Sequence, residues 1–343
     1  MADQISDVLP TARWLANAPE FEDAVRAAAA YHGILEDLVR KDYWVTRVLR
    51  AIGTDPEMSG RAIFKGGTSL SKGWRLIDRF SEDIDLLLTG SNYGPPPEKR
   101  DRERQFRTLK ARIEKETPLR LPDQQTLAEE DWRFHYVRGS FHSNLRYPLP
   151  GRVVGRSAAN TDWLLVESGF RGGVQPHARR LLNSLVAEFV ETQPEARAAL
   201  ELYAADLTPF EMDLLKPERT FVEKLLALHG WMSNGSDGAR EVRTRHYYDL
   251  AQLFTRSADV RTCIERGELG PLVRDAVAVS NMYWGAQLDA DTLDLRQSPA
   301  LRPTDEQRRI LRARYADERA LYYREVPAFD AILDIMDRIA DAL

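Results

Sequence analysis

Two aspartates one residue apart, Asp83 and Asp85, open the apolar run DIDLLL, which reads as a buried strand over Asp83–Leu88. Alternate side chains of a strand share a face, so both carboxylates point one way while Ile84, Leu86 and Leu88 enter the core. Like charges so close repel each other, and a bound Mg2+ or Mn2+, which prefers oxygen ligands, removes that penalty. The plainer alternative is a pair of solvated acids at a strand end, beside Arg79 or Lys65. Upstream, Gly66-Gly67-Thr68-Ser69 falls between a short strand, 61–64, and a helix. Two glycines let the backbone approach a bulky anion, and Thr68 and Ser69 add hydroxyls where a helix N-terminus favours phosphate. Lys65 and Lys72 bring positive charge on either side. Alone, such a segment is a tight turn with a helix cap. A phosphate turn followed within one short helix by a metal-binding acid pair is a more specific combination, suited to in-line attack on a nucleoside triphosphate. A third acid is needed for a two-metal site; Glu167 in LLVESGF is the candidate, its alternative being an edge-strand partner of Arg171.

These residues need a sheet to hold them and helices to back it. Periodicity predicts helices from about Glu20 to Ile52, broken at Gly33, and a charged helix over Lys99–Lys115. Strands are expected at Arg133–Gly139 and Trp163–Phe170, with a hairpin connection or mobile loop between them. Helices are expected at Leu181–Val190 and Glu195–Ala204, and LTPFEMDLL as a strand at the sheet edge. From Lys216 onward the pattern is helical. The fold class expected is α+β: a small mixed sheet flanked by helices over 1–213, then an α-helical part over 214–343.

With 43% apolar and 29% charged residues in 343, the chain reads as globular. The single cysteine, Cys263, excludes an internal disulfide and a cysteine-built zinc site, and the six histidines show no zinc spacing. No signal-peptide pattern marks MADQISDVLPTARW, and no run of about 20 apolar residues offers a membrane span, so a cytoplasmic, reducing location is expected. A net charge of −5 argues against coating nucleic acid by bulk electrostatics. Clusters such as Arg100, Arg102, Arg104 and Arg107 read first as solvated helix faces.

The block FKGGTSLSKGWRLIDRFSEDIDLLL resembles the signature of the AbiEii/AbiGii-type nucleotidyltransferase toxins, members of the polymerase-beta-like nucleotidyltransferase superfamily. Lys41-Asp42-Tyr43 is similar to the lysine-aspartate-aromatic motif that precedes the glycine turn in that family. TFVEKLLAL and RHYYDL resemble its lysine helix and its later aspartate, so the similarity spans about Lys41 to Leu250. The resemblance implies that Asp83 and Asp85 bind metal, that Ser69 contacts phosphate, that Lys224 reaches the triphosphate, and that Asp249 stands beside the site. Without it, Lys224 reads as a snorkelling surface lysine. It further implies transfer from an NTP to the 3′ end of RNA, most readily tRNA, by a toxin of the abortive-infection type paired with an antitoxin encoded nearby. A protein hydroxyl or small molecule as acceptor, and a non-catalytic nucleic-acid-binding regulator, are the alternatives.

Overall fold

The computed structural model describes residues 14–81, 83–126, 128–150 and 162–343. Its strands are β1 (Ala62–Lys65), β2 (Asp83–Leu88), β3 (Tyr136–Arg138), β4 (His142–Pro148), β5 (Trp163–Gly169), β6 (His177–Leu182) and β7 (Phe210–Leu215). They form one mixed sheet in the order β3-β4-β5-β2-β1-β7-β6. β2 runs parallel to β5, and β1 runs parallel to β7; the other neighbours are antiparallel. In chain order, the helices of the first part are α1 (Phe21–His32), α2 (Glu36–Gly53), α3 (Gly66–Lys72), α4 (Lys99–Glu116), α5 (Glu129–His135), α6 (Leu185–Thr192), α7 (Pro194–Ala199) and α8 (Ala204–Leu207). Beyond the sheet come α9 (Pro217–Met232), α10 (Gly235–Glu241), α11 (Arg245–Arg256), α12 (Ala258–Glu265), α13 (Leu269–Trp284), α14 (Asp305–Asp317) and α15 (Phe329–Ala342). The α+β class, the small mixed sheet and the helical second part are as the sequence indicates.

Local chemistry explains the boundaries that matter to the site. Gly33 takes a left-handed φ of +66° and closes α1, and α2 follows with its apolar side on the sheet. Phe64, Ile84 and Leu86 pack with Val45 and Leu49 of α2 and Leu109 of α4 in one buried cluster. A second cluster lies among α9, α11 and α15, with Phe221, Leu250 and Ile332 fully buried, and Leu70 of α3 joins it. The segment carrying the glycine turn is therefore gripped by both parts of the molecule.

Four expectations need correction. The first half of Arg133–Gly139 belongs to helix α5, leaving Tyr136–Arg138 as strand. The stretch expected as a hairpin loop contains β4, whose alternate residues are buried; positions 151–161 lie outside the described residues. The helix expected from Leu181 begins at Leu185, where the Ser184 hydroxyl accepts from the Ala187 N–H at 3.1 Å, and Leu181 and Leu182 end β6. LTPFEMDLL yields β7, which lies inside the sheet between β1 and β6, so the arginine-bearing β6 is the edge.

Candidate active site

The sheet register sets four polar side chains in a row. Lys65 of β1 pairs with Asp85 of β2, Asp85 with Glu167 of β5, and Glu167 with Asn144 of β4. Paired residues of neighbouring strands project to the same face. Lys65, Asp85, Glu167 and Asn144 therefore cross four strands side by side, with Asp83 two positions along β2 on that face. Asn144 Nδ2 donates to Glu167 Oε1 at 3.3 Å. Leu87, also on this face, packs with Ile63 and Leu215. A cleft of about 350 Å3 opens over the row, with Phe141, Arg171 and Trp284 completing its rim.

Charge is crowded here. Burial first, then Asp85, Asp83 and a hydrogen bond with Asp85 push the Glu167 carboxyl up to about 7. Lys65 is raised, chiefly by Glu223 with help from Asp85, and stays a cation. Among the described residues no three His, Cys, Asp or Glu side chains are already closed around one point. An all-oxygen donor set with an acid raised by its neighbours fits a hard divalent ion.

The glycine turn is built against Asp85. Gly66 has φ +75°, and a Cβ placed on it would stand 1.9 Å from Asp85 Oδ2, so only glycine fits. At Gly67 a Cβ would meet Arg79 Nη2 and Ser81 Oγ, each at 2.8 Å. The hydroxyls hold the turn from within: Thr68 Oγ1 donates to the Asp83 carbonyl, and Ser69 Oγ donates to the Gly66 carbonyl at 2.9 Å. Lys72 is engaged elsewhere, with Asp42 Oδ1 at 2.6 Å and the Asn183 carbonyl at 2.7 Å. It lines a separate cavity with Asp42 and Arg75 and ties α3 to α2.

A second buried cluster flanks the turn. Arg79 grips Asp249 of α11 with two hydrogen bonds, Nε–Oδ1 at 2.7 Å and Nη2–Oδ2 at 2.6 Å. Lys224 of α9 reaches the same Asp249 Oδ2 at 2.8 Å and donates to His246 Nδ1 at 3.0 Å. Burial alone would raise the Asp249 carboxyl, but Arg79 and Lys224 hold it far below the usual range. Burial lowers His246 well below its ordinary value, and Lys224 lowers it further, so the ring stays neutral. Lys224 is lowered by burial against the pull of Asp249. The sequence motifs therefore meet in space as two adjoining groups: Asp83, Asp85 and Glu167 with the glycine turn, and Lys224 with Asp249. The sequence offers Arg79 as a neighbour of the acids and as the first residue of RFSEDID, and marks no role for Asn144 or His246. The Arg79-Phe80-Ser81 run before the acid pair carried the one signal for Arg79.

A protein-family model described as the nucleotidyl transferase AbiEii toxin of a type IV toxin–antitoxin system matches residues 47–335. The chain belongs to this AbiEii family. It is thus a nucleotidyltransferase of a toxin family. The match takes in the glycine turn, both acids, Lys224 and Asp249, while Lys41-Asp42-Tyr43 precedes it. Among solved structures, the chain is similar to MenT4, a nucleotidyltransferase toxin from Mycobacterium tuberculosis H37Rv. That similarity is at 18% identity and a TM-score of 0.44, covering 91% of this chain and 97% of that one. No curated relative matches this AbiEii-family chain. Among its described residues no helix is long and apolar enough to cross a membrane.

Proposed function

We propose that this AbiEii-family protein transfers nucleotides from an NTP to the 3′ end of an RNA, with tRNA as the acceptor class, and acts in the cytoplasm as a toxin held in check by an antitoxin. The carrying observation is the row Lys65–Asp85–Glu167 under the glycine turn, with Gly66 pressed against Asp85. Asp83, Asp85 and Glu167 would hold Mg2+ or Mn2+. Such an ion, when bound, neutralises charge on the phosphates and activates the attacking hydroxyl. Gly66 and Gly67 let the backbone approach the triphosphate, with Thr68 and Ser69 fixing the turn. In this reading Lys224, held by Asp249 and His246, is the lysine that reaches toward the triphosphate. Lys72 acts on the phosphates only through α3, which it anchors.

A specific surface favours a nucleic-acid acceptor over a protein or small molecule. At the cleft rim the Arg102 guanidinium lies 4.0 Å over the Phe141 ring, Arg171 approaches the same ring at 5.6 Å, and Phe141 meets Tyr283 at 5.6 Å. Interleaved arginine and aromatic side chains beside the acids suit stacking of unpaired bases and contact with phosphates. The test is incubation of the purified protein with Mg2+, total tRNA and each α-32P-labelled NTP in turn, beside Asp85→Ala. Ribonuclease-sensitive label made by the wild type alone supports the proposal. Protease-sensitive label would move the acceptor to a protein, and label made equally by Asp85→Ala would sink the mechanism.

A further inference from the structure

Next to the acid cleft lies a larger cavity, of about 610 Å3, between α9 and α13. The two share Lys65, Arg171 and Trp284 in their linings and so form one continuous depression. Its two ends differ in chemistry. Near the acids are Lys65, Arg171, Arg219 and Glu223; farther along α9 are Leu226, Gly230 and Trp231, facing Val279 and Trp284 of α13. Arg219, Glu223, Ala227 and Gly230 follow at helical spacing, so one face of α9 runs from the polar end to the apolar end, about 16 Å apart. Lys224, on the neighbouring face, goes to Asp249.

The polar end is cationic, with Lys65 and Arg171 in its lining and Arg219 beneath them. Arg219 is fully buried; its Nε meets Glu223 at 3.1 Å and its Nη1 meets Asp275, while Nη2 has no hydrogen-bond partner among the described residues. Arg171 Nε is likewise buried without a partner. At the apolar end Trp231 is held by stacking on His246, at 5.6 Å and 23°, the same ring that accepts from Lys224. Trp284 is 59% exposed, a large indole standing at the junction of the two cavities.

We infer that this cavity is the seat of the incoming nucleotide's base and sugar: the base lies in the apolar end by Trp231 and Trp284, and Lys65 and Arg171 face sugar or phosphate oxygens on the side of Asp85. The inference rests on the proposed nucleotidyl transfer and says where the NTP lies. A planar heterocycle attached to a polyanion matches a cavity with an indole-lined end and a cationic end. The volume is in the range of small-molecule sites.

The test uses a position where a side chain can be added without disturbing the fold. Gly230 lines the cavity inside α9 with ordinary backbone angles, and a Cβ there meets nothing within 4 Å. Gly230→Phe therefore fills the apolar end from a helix that gains by losing a glycine. Binding of each NTP and of inorganic tripolyphosphate would be measured by titration calorimetry with Mg2+ present, for wild type, Gly230→Ala and Gly230→Phe. NTP affinity falling tenfold or more in Gly230→Phe, with tripolyphosphate binding unchanged and Gly230→Ala like wild type, supports the base pocket. Equal NTP affinity in wild type and Gly230→Phe overturns it, as does a wild type that binds NTP no tighter than tripolyphosphate. Because binding is read without an acceptor, a protein that shows this pattern yet labels no RNA would refute the proposed acceptor and leave the pocket standing.

Discussion

Gly66→Ala is the sharpest perturbation of the turn, because it adds one methyl group to a packed acid. The new Cβ would stand 1.9 Å from Asp85 Oδ2 and 2.8 Å from its Cγ. Non-bonded heavy atoms settle near 3.5 Å, so the carboxylate must retreat by roughly 1.5 Å or the turn must open by as much. The left-handed φ of +75° adds about 1–2 kcal/mol of backbone strain for any residue with a Cβ. A misplacement of about 1 Å at a reacting centre costs about 100-fold in rate. The expected result is a fall in kcat/KM for nucleotidyl transfer of about 100-fold, or about 2.7 kcal/mol, with a folded protein of modestly lower Tm. Gly33→Ala is the matched control: its φ is +66°, and its Cβ would meet nothing within 4 Å. It carries the same kind of strain far from the acids, so it should lower Tm comparably and leave transfer unchanged. Transfer would be followed with labelled NTP, and unfolding by thermal scan. Wild-type kcat/KM in Gly66→Ala would refute the assigned closeness of turn and acid. Equal losses of activity in both variants would show that strain alone is responsible.

Asp249→Asn leaves Arg79 and Lys224 buried without a counter-charge, so stability should fall by about 3–5 kcal/mol in urea unfolding; a loss under 1 kcal/mol would contradict the cluster. Glu167 has its folded pKa raised to about 7, so the folded state binds the proton more tightly than the unfolded chain. In metal-free buffer its contribution is therefore most favourable below pH 4.5 and is lost as pH climbs to about 7. Glu167→Gln should remove that decline in Tm, and Mg2+ should offset it in the wild type above pH 7; identical pH profiles would count against it. Lys72→Met and Asp42→Asn should each destabilise the chain, and the double variant should recover part of the loss, since the two are ion-paired at 2.6 Å; strictly additive losses would show that the pair is not what α3 depends on.

The acid strand was legible to the residue because DIDLLL alternates between acid and apolar positions before it becomes fully buried, a pattern with one solution. Glu167 could be placed on a strand from LLVESG, but its register opposite Asp85 is a property of the sheet and has no local mark. β6 was misread because HARRLL is an exposed edge whose middle residues face solvent, so no buried alternation marks it. β4 was read as loop because HSNLRYP puts Ser143 and Asn144 where a strand usually shows apolar residues; Asn144 is there to meet Glu167. Arg79 and Asp249 are 170 positions apart, and nothing near either one announces the other. Lys224 could be singled out only through its resemblance to the family. In composition it is a lysine on an apolar helix, and burial against Asp249 separates it from a surface one.

That separation of 170 positions also orders events in time. A ribosome adding 5–20 residues per second needs roughly ten to thirty seconds to travel from Arg79 to Asp249. Through most of that interval the nascent chain already holds the glycine turn and both acids of β2, while the guanidinium beneath the turn has no counter-ion. A message broken between codons 85 and 249 thus yields a polypeptide that carries Asp83 and Asp85 without the carboxylate that pairs with Arg79. An enzyme built this way gathers its site only after α11 has been made, and translation products that stop short of it lack the Arg79–Asp249 pair.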